Sequence, residues 1–300
     1  MSAVAFWGAI ETGLLYGFLS LGVYLSFRVL NFPDLTVDGS FPLGAAVAGT
    51  LIVAGINPFV ATGVAIAAGL LAGLCTALLS VRFGILNLLA SILTMIALYS
   101  INLRIMGKPN LSLLNQPSVF DPFEFWLSRL PSIVVMPVIL LVSVGITKLL
   151  VDSFLNSQLG LAIRATGMNP KMAQAQGIYT DRLILLGMAV SNGLASLSGA
   201  LFAQLYGFAD VTLGVGTVVV GLATVILGEA LFPARSVVIA TFAVVLGSVL
   251  YRVAIALALN ASFLGFEAQD LNLVTALLVV IALTLPNSRF ARKLKQGLKS

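Results

Sequence analysis

The chain has 300 residues, of which 59% are hydrophobic and only 9% charged, and its mean hydropathy is +1.09. Ordinary soluble domains carry roughly 25% charged residues; a chain this poor in them excludes a soluble fold and calls for one membrane domain from end to end. With no histidine and a single cysteine, Cys75, it also excludes a disulfide or a His/Cys metal site within one chain, and its net charge of +5 calls for no nucleic acid.

In chain order, the first residues, Met-Ser-Ala-Val-Ala-Phe-Trp, have no positive n-region, and the first basic residue is Arg28. The first apolar segment is therefore expected to be retained. Spanning the hydrocarbon takes about 20 apolar residues in a helix. Nine segments fit: 6–29, 41–56, 59–81, 85–103, 133–150, 183–205, 213–232, 236–259 and 271–285. Gly63, Gly69 and Gly73 in the third, with Gly187, Gly193 and Gly199 in the sixth, predict faces of close helix packing. Two polar connections are long enough to fold, 108–132 with Asp121, Glu124 and Trp126, and 152–182.

The positive-inside bias orients these segments. Arg289, Arg292, Lys293, Lys295 and Lys299 follow the last segment and place the C-terminus in the cytoplasm. Nine spans then put the N-terminus outside. Arg28, Arg82, Lys148, Arg164, Lys171, Arg182 and Arg235 fall inside, leaving only Arg104, Lys108, Arg129 and Arg252 elsewhere.

An internal repeat is visible. Asn31-Phe-Pro-Asp-Leu-Thr36 returns as Gly207-Phe-Ala-Asp-Val-Thr212, and the run from Leu86 to Leu98 returns from Leu271 to Leu283 with seven of 13 positions identical. One copy of the Phe-x-Asp-x-Thr element follows an outside-to-inside span and the other an inside-to-outside span, so the repeats are expected to be inverted, as in transporters whose halves rock about broken helices. Polar residues in such segments are costly and often functional; Glu11, Asp34, Asp38, Asp210, Glu229 and Arg252 are the candidates. Pro33, Gly39 and Pro42 break the helix around Asp34 and Asp38, and freed backbone needs a cavity or protein neighbours. Asn31, Asp34, Thr36, Asp38, Ser40, Asp210 and Thr212 are therefore expected to line a translocation pathway, wetted by it rather than buried between helices.

The inner connection contains Leu159-Gly-Leu-Ala-Ile-Arg-Ala-Thr-Gly-Met-Asn169, then Pro170, Lys171, Met172, Ala173 and Gly177-Ile178. Asn169 can cap a short helix that Pro170 opens and Gly177 closes. About eight residues of helix are unstable alone in water and should dock on something.

On this run, together with Asn31-Phe-Pro-Asp-Leu-Thr-Val-Asp-Gly39 and Leu222-Ala-Thr-Val-Ile-Leu-Gly228, the chain resembles the permease subunits of ATP-binding cassette importers of the branched-chain amino acid and ribose type. The resemblance covers nearly the whole chain. It implies a coupling helix at residues 169–176 that sits in a cleft of a separate ATPase subunit, with Arg164, Gly167, Asn169, Pro170, Lys171, Met172, Ala173 and Gly177 as coupling residues. It also implies two permease chains, identical or not, two ATPases that bind ATP and Mg, and an extracytoplasmic solute-binding protein. The chain has no Gly-x-x-x-x-Gly-Lys-Ser/Thr loop of its own, so ATP hydrolysis belongs to a partner and no cofactor is expected here. The extra N-terminal span of some family members is lacking. Pro33-Asp-Leu-Thr-Val-Asp-Gly39 replaces the Ala-His-Gly wording of many branched-chain amino acid permeases, and the variant looks most like permeases for aromatic or other amino acids.

The expectation is an all-α polytopic membrane protein of about nine helices in the bacterial inner membrane, one permease domain over 1–300. Its repeat halves cover about 6–104 and 183–286, with a cytoplasmic coupling segment at 152–182. An ion-gradient-driven secondary transporter is the alternative, although it would want a midplane carboxylate or histidine. An intramembrane enzyme would need a His-Glu-x-x-His or Gly-x-Ser-x-Gly motif, and neither stands in the sequence.

Overall fold

Helix ends follow local chemistry. In the computed structural model, which describes residues 3–126, 131–232, 236–260 and 280, α1 (Ala3–Val23) continues into a π-helical turn (Tyr24–Val29). Then come α2 (Val37–Val53), α3 (Pro58–Val81), α4 (Asn87–Met106), β1 (Asn110–Ser112), α5 (Asp121–Trp126), α6 (Ser132–Asn156) and α7 (Gln158–Met168). They are followed by α8 (Pro170–Ala175), α9 (Thr180–Tyr206), β2 (Phe208–Asp210), α10 (Thr217–Leu231) and α11 (Val237–Asn260). Asn57 opens α3 by accepting the Phe59 amide at 2.9 Å with Pro58 in the first turn. Gly107 and Gly207, in the left-handed region at φ +67 and +73, end α4 and α9.

Six of the described helices are long and apolar enough to cross a membrane: α1 with its π turn, α3, α4, α6, α9 and α11. The chain is thus an all-α polytopic membrane protein. Eight of the nine expected segments are helices at nearly the expected places, while 271–285, apart from Val280, and the basic tail lie outside the described residues. α2 and α10 are shorter than the rest, at 17 and 15 residues. At about 1.5 Å per residue they reach only ~25 and ~22 Å, short of the ~30 Å core. Each follows a stretch without helix, residues 30–36 before α2 and 211–216 before α10.

α9 is the hub. α2 and α3 pack along it, while α11 packs along α1 and α10 along α11. Small residues permit these approaches: a Cβ on Gly69 or Gly73 would stand 2.5 Å or less from α9 atoms, and one on Gly44 would stand 1.9 Å from the Ser196 carbonyl. Serine hydroxyls cross the same seams, Ser196 Oγ donating to the Ala65 carbonyl (2.6 Å) and Ser248 Oγ to that of Gly13 (2.9 Å). Gly63 does not join the expected packing face, since nothing lies within 4 Å of its Cβ position. An antiparallel pair joins β1 to β2 in the register Leu111↔Ala209, tying the ends of α4 and α9 together on one side.

Candidate functional site

Both broken helices begin at the same place. Asp38, in the first turn of α2, reaches the start of α10: Oδ1 accepts the Val218 amide (2.8 Å) and the Thr217 hydroxyl (2.9 Å), and Oδ2 accepts the Gly216 amide (3.2 Å). Gly216 stands at the N-cap of α10 and brings no side chain, so a carboxylate 178 residues away does the capping. A negative charge there also suits the positive end of the helix dipole. Gly214 makes the approach possible, because a Cβ on it would stand 1.8 Å from the Asp38 carbonyl.

Asp34 lies on the other side of this junction, with no exposed surface. Its Oδ1 accepts the Thr36 amide (2.8 Å), and its Oδ2 accepts Asn192 Nδ2 (2.8 Å) from the middle of α9. Ser40 Oγ donates to Asn192 Oδ1 (2.7 Å), and the Thr36 and Thr76 hydroxyls share a bond of 2.7 Å. Thr36, Ser40, Thr76 and Asn192 are all fully buried. Asp34, Thr36 and Ser40, expected to be wetted by a pathway, are buried here in a network that pins the non-helical stretch to α3 and α9. In an apolar surround every polar group must find a partner, and here the neighbouring helices supply them.

The other expected pathway residues lie apart from the junction. Exposed Asn31 adopts φ +52, which turns the chain after the π helix and suits asparagine. Asp210 and Thr212 sit at the β pair, where Asp210 Oδ1 accepts the Thr212 amide (2.7 Å) and Oδ2 accepts Asn110 Nδ2 (3.2 Å). Burial alone would push the Asp210 carboxyl up; the Thr212 and Asn110 donors outweigh it and hold it below the usual range. Of the remaining polar candidates, Glu229 forms a forked ion pair with Arg28 (2.6 and 2.7 Å), and the Arg252 guanidinium stacks 3.9 Å from the Tyr16 ring centre.

A cavity of about 440 Å³ opens beside the junction. Asp38, Gly39 and Pro42 form one wall; Met95, Tyr99, Ser100 and Asn102 of α4 and Val211 and Val215 of the non-helical stretch before α10 form the others. Asn102 Nδ2 donates to the Gly39 carbonyl (3.2 Å). Asn102, Asn192 and Thr76 carry no charge and do not stand out in the apolar runs of the sequence; a buried amide in such a run is the same signal in weaker form.

In the connection at 152–182, Asn169 Oδ1 accepts the Met172 amide (3.1 Å) and Pro170 opens α8, as expected, although the helix has six residues rather than eight. Gly177, at φ +80, closes it. Gly167 lets α7 lie against the end of the π turn, since a Cβ there would stand 1.9 Å from the Val29 carbonyl. Arg164 is half-buried on α7. Ala173 is buried at 4%, and the exposed surface includes Met168 at the end of α7 (89% exposed), Lys171, Met172 (63%) and Gln174.

Residues 7–285 match the family described as branched-chain amino acid transport system, permease component. A tyrosine transport system permease protein of Clostridioides difficile (strain R20291) is 39% identical over 281 residues, 93% of this chain and 90% of its own. A high-affinity branched-chain amino acid transport system permease protein, LivH of Escherichia coli (strain K12), is 29% identical over 138 residues, 45% of this chain and 41% of its own. In fold, the chain is similar to a chain of PsaBC from Streptococcus pneumoniae, solved in complex with Fab, with a TM-score of 0.50 and 18% identity over 93% of this chain and 89% of that one.

Proposed function

The chain belongs to the branched-chain amino acid transport system permease family, and from that premise we propose that it is the translocation subunit of an ATP-binding cassette importer for an amino acid or a related small polar solute. The observation that carries this reading is the match to a tyrosine transport permease along nine-tenths of both chains. That relative favours an aromatic amino acid as the solute.

In this reading ATP and Mg are bound on separate ATPase subunits, and α8 is the coupling helix. Its support is local: a capped helix of six residues, too short to stand alone, offers the exposed Met172 beside Lys171, and the exposed Met168 ends α7 just before it. Methionine is suited to adaptable interfaces. Arg164, Gly167, Asn169, Pro170, Ala173 and Gly177 shape this element from behind, while Lys171 and Met172 touch the partner. A second permease chain and an extracytoplasmic binding protein complete the assembly. In this reading the chain spans a bacterial inner membrane nine times as one domain, α2 and α10 crossing together with the non-helical stretches before them, with its N-terminus outside and C-terminus in the cytoplasm.

The inverted repeat belongs to this reading as well. α3 against α9 and α11 against α1 exchange under a swap of halves. At the offset of 176 residues that relates Asp34 to Asp210, Asp38 corresponds to Gly214, and these two touch. Contact between equivalent residues is what an axis relating the halves demands. The route then runs past the junction of the two half-helices, with Asp38 at its wall and Asn31, Asp34, Thr36, Ser40, Asp210 and Thr212 holding the non-helical stretches on either side of it.

Reconstitution with its ATPase and binding-protein partners tests the proposal. Solute should stimulate ATP hydrolysis, and Met172→Glu should cut the stimulation about tenfold or more, as loss of an interface anchor does, with membrane insertion unchanged. Uptake by this chain alone, driven by an ion gradient and indifferent to ATP, would overturn it in favour of a secondary transporter.

A further inference from the structure

Beside the half-helix junction, one acceptor at the cavity wall has no partner and a second keeps an acceptor site open. Asn102 is fully buried, its Nδ2 is committed toward the Gly39 carbonyl, and its Oδ1 has no hydrogen-bond partner. Such an orphan is costly in an apolar surround and calls for an explanation. One residue before Gly39, the Asp38 carboxylate spends three of its roughly four acceptor sites on the start of α10. Both residues line the same cavity, and among the described residues its lining contains no lysine or arginine. The unmet demand is thus for a donor, and for a positive one.

The rest of the lining is apolar or aromatic, with Met95, Ile96, Val211, Val215 and the exposed Tyr99 ring around the polar corner. At about 440 Å³ the space falls within the roughly 300–1,000 Å³ usual for small-molecule sites. We propose that this cavity is a transit subsite that receives the ammonium group of an amino acid with an apolar or aromatic side chain, Asn102 Oδ1 and Asp38 accepting its N–H bonds. The inference rests on the permease reading and adds to it the end of the solute that the chain recognises. It also makes Asn102 a residue that determines specificity.

A second cavity supplies an internal control. It lies between α2, α3 and α4, is lined by Leu43, Leu71, Leu93, Leu98 and other apolar side chains, and contains the exposed thiol of Cys75. In a Cys75→Ala background, Ser100→Cys places a thiol at the wall of the proposed subsite. Its reaction with a methanethiosulfonate bearing an ammonium should exceed that with the sulfonate reagent about tenfold beyond the ratio seen at native Cys75, a factor that one charge-assisted bond supplies. Asn102→Leu should bring that ratio down to the Cys75 value while leaving the rate with neutral methyl methanethiosulfonate unchanged. If Asn102→Leu disturbs the neutral rate as well, Asn102→Asp decides, because it keeps the acceptor and must keep or raise the preference. L-tyrosine and L-leucine should slow labelling at Ser100→Cys, and their deaminated acids should not. A ratio at Ser100→Cys equal to that at Cys75, a preference that survives Asn102→Leu, or a loss of preference in Asn102→Asp overturns the subsite. Solute-stimulated ATP hydrolysis in the assembled complex is read separately, so a complex that couples normally while the thiol shows no ammonium preference refutes the subsite and leaves the permease reading standing.

Discussion

In both Asp-x-Thr elements the aspartate Oδ1 accepts the amide two residues on, at 2.8 Å in Asp34-Leu35-Thr36 and 2.7 Å in Asp210-Val211-Thr212. In both, Oδ2 accepts from an asparagine, Asn192 at 2.8 Å and Asn110 at 3.2 Å. The first copy is sealed among α3 and α9, whereas the second sits at a surface β pair with Thr212 exposed. An identical local turn can therefore be a buried brace in one place and a surface ornament in another. The motif dictates the turn, because the short aspartate side chain reaches its own backbone. What the turn is worth depends on whether water can replace a lost partner.

Three substitutions grade that difference. Asp34→Ala strands the Thr36 amide and Asn192 Nδ2 where no water reaches them, and should cost about 3–5 kcal/mol, read as a large drop in the thermal midpoint of the purified protein in detergent. Asp38→Ala uncaps α10 and should cost about 1–2 kcal/mol, with faster hydrogen exchange at the Val218 amide as its local mark. Asp210→Ala should cost less than about 1 kcal/mol, since water takes over the exposed donors. Equal losses from Asp34→Ala and Asp210→Ala would show that burial does not separate the two elements. The second copy also has a pH signature. Its carboxyl lies below the usual range when folded, so whatever it adds to stability is present above the unfolded value of about 3.9. That contribution fades as the pH falls through the lower folded value. Asp210→Asn should therefore lower stability by a constant amount above about pH 4 and by progressively less as the pH falls, flattening the acid limb of the profile.

Much of this architecture is legible in residue order. The apolar runs announce eight of the observed helices to within a few residues, since a membrane helix must satisfy its own backbone and is coded by length and composition. The Asn169–Pro170 start and Gly177 stop of α8 are equally local. Other features escape such a reading. Thr76, Asn102 and Asn192 look like isolated polar residues in apolar runs until α3, α4 and α9 are brought against α2. Ala173 looks like a contact residue of a docking helix, but the turn of α8 buries it and presents Met172 instead. The π turn at Tyr24–Val29, which puts Arg28 beside Glu229, has no counterpart in the periodicity of the first apolar run.

By itself the sequence determined what depends on near neighbours: which stretches can cross a membrane, where they start and stop, and that Asp34 and Asp210 each fold back on the threonine two residues on. Only the tertiary structure decided that Asp38 caps α10 across 178 residues, that one Asp-x-Thr turn is dry and the other wet, and that Asn102 keeps an open acceptor at the wall of a cavity. The physical reason is one of range. Backbone propensity, capping and hydropathy act within a turn or a span, but a carboxylate's partners, and the cost of losing them, are set by which helices the packing brings together.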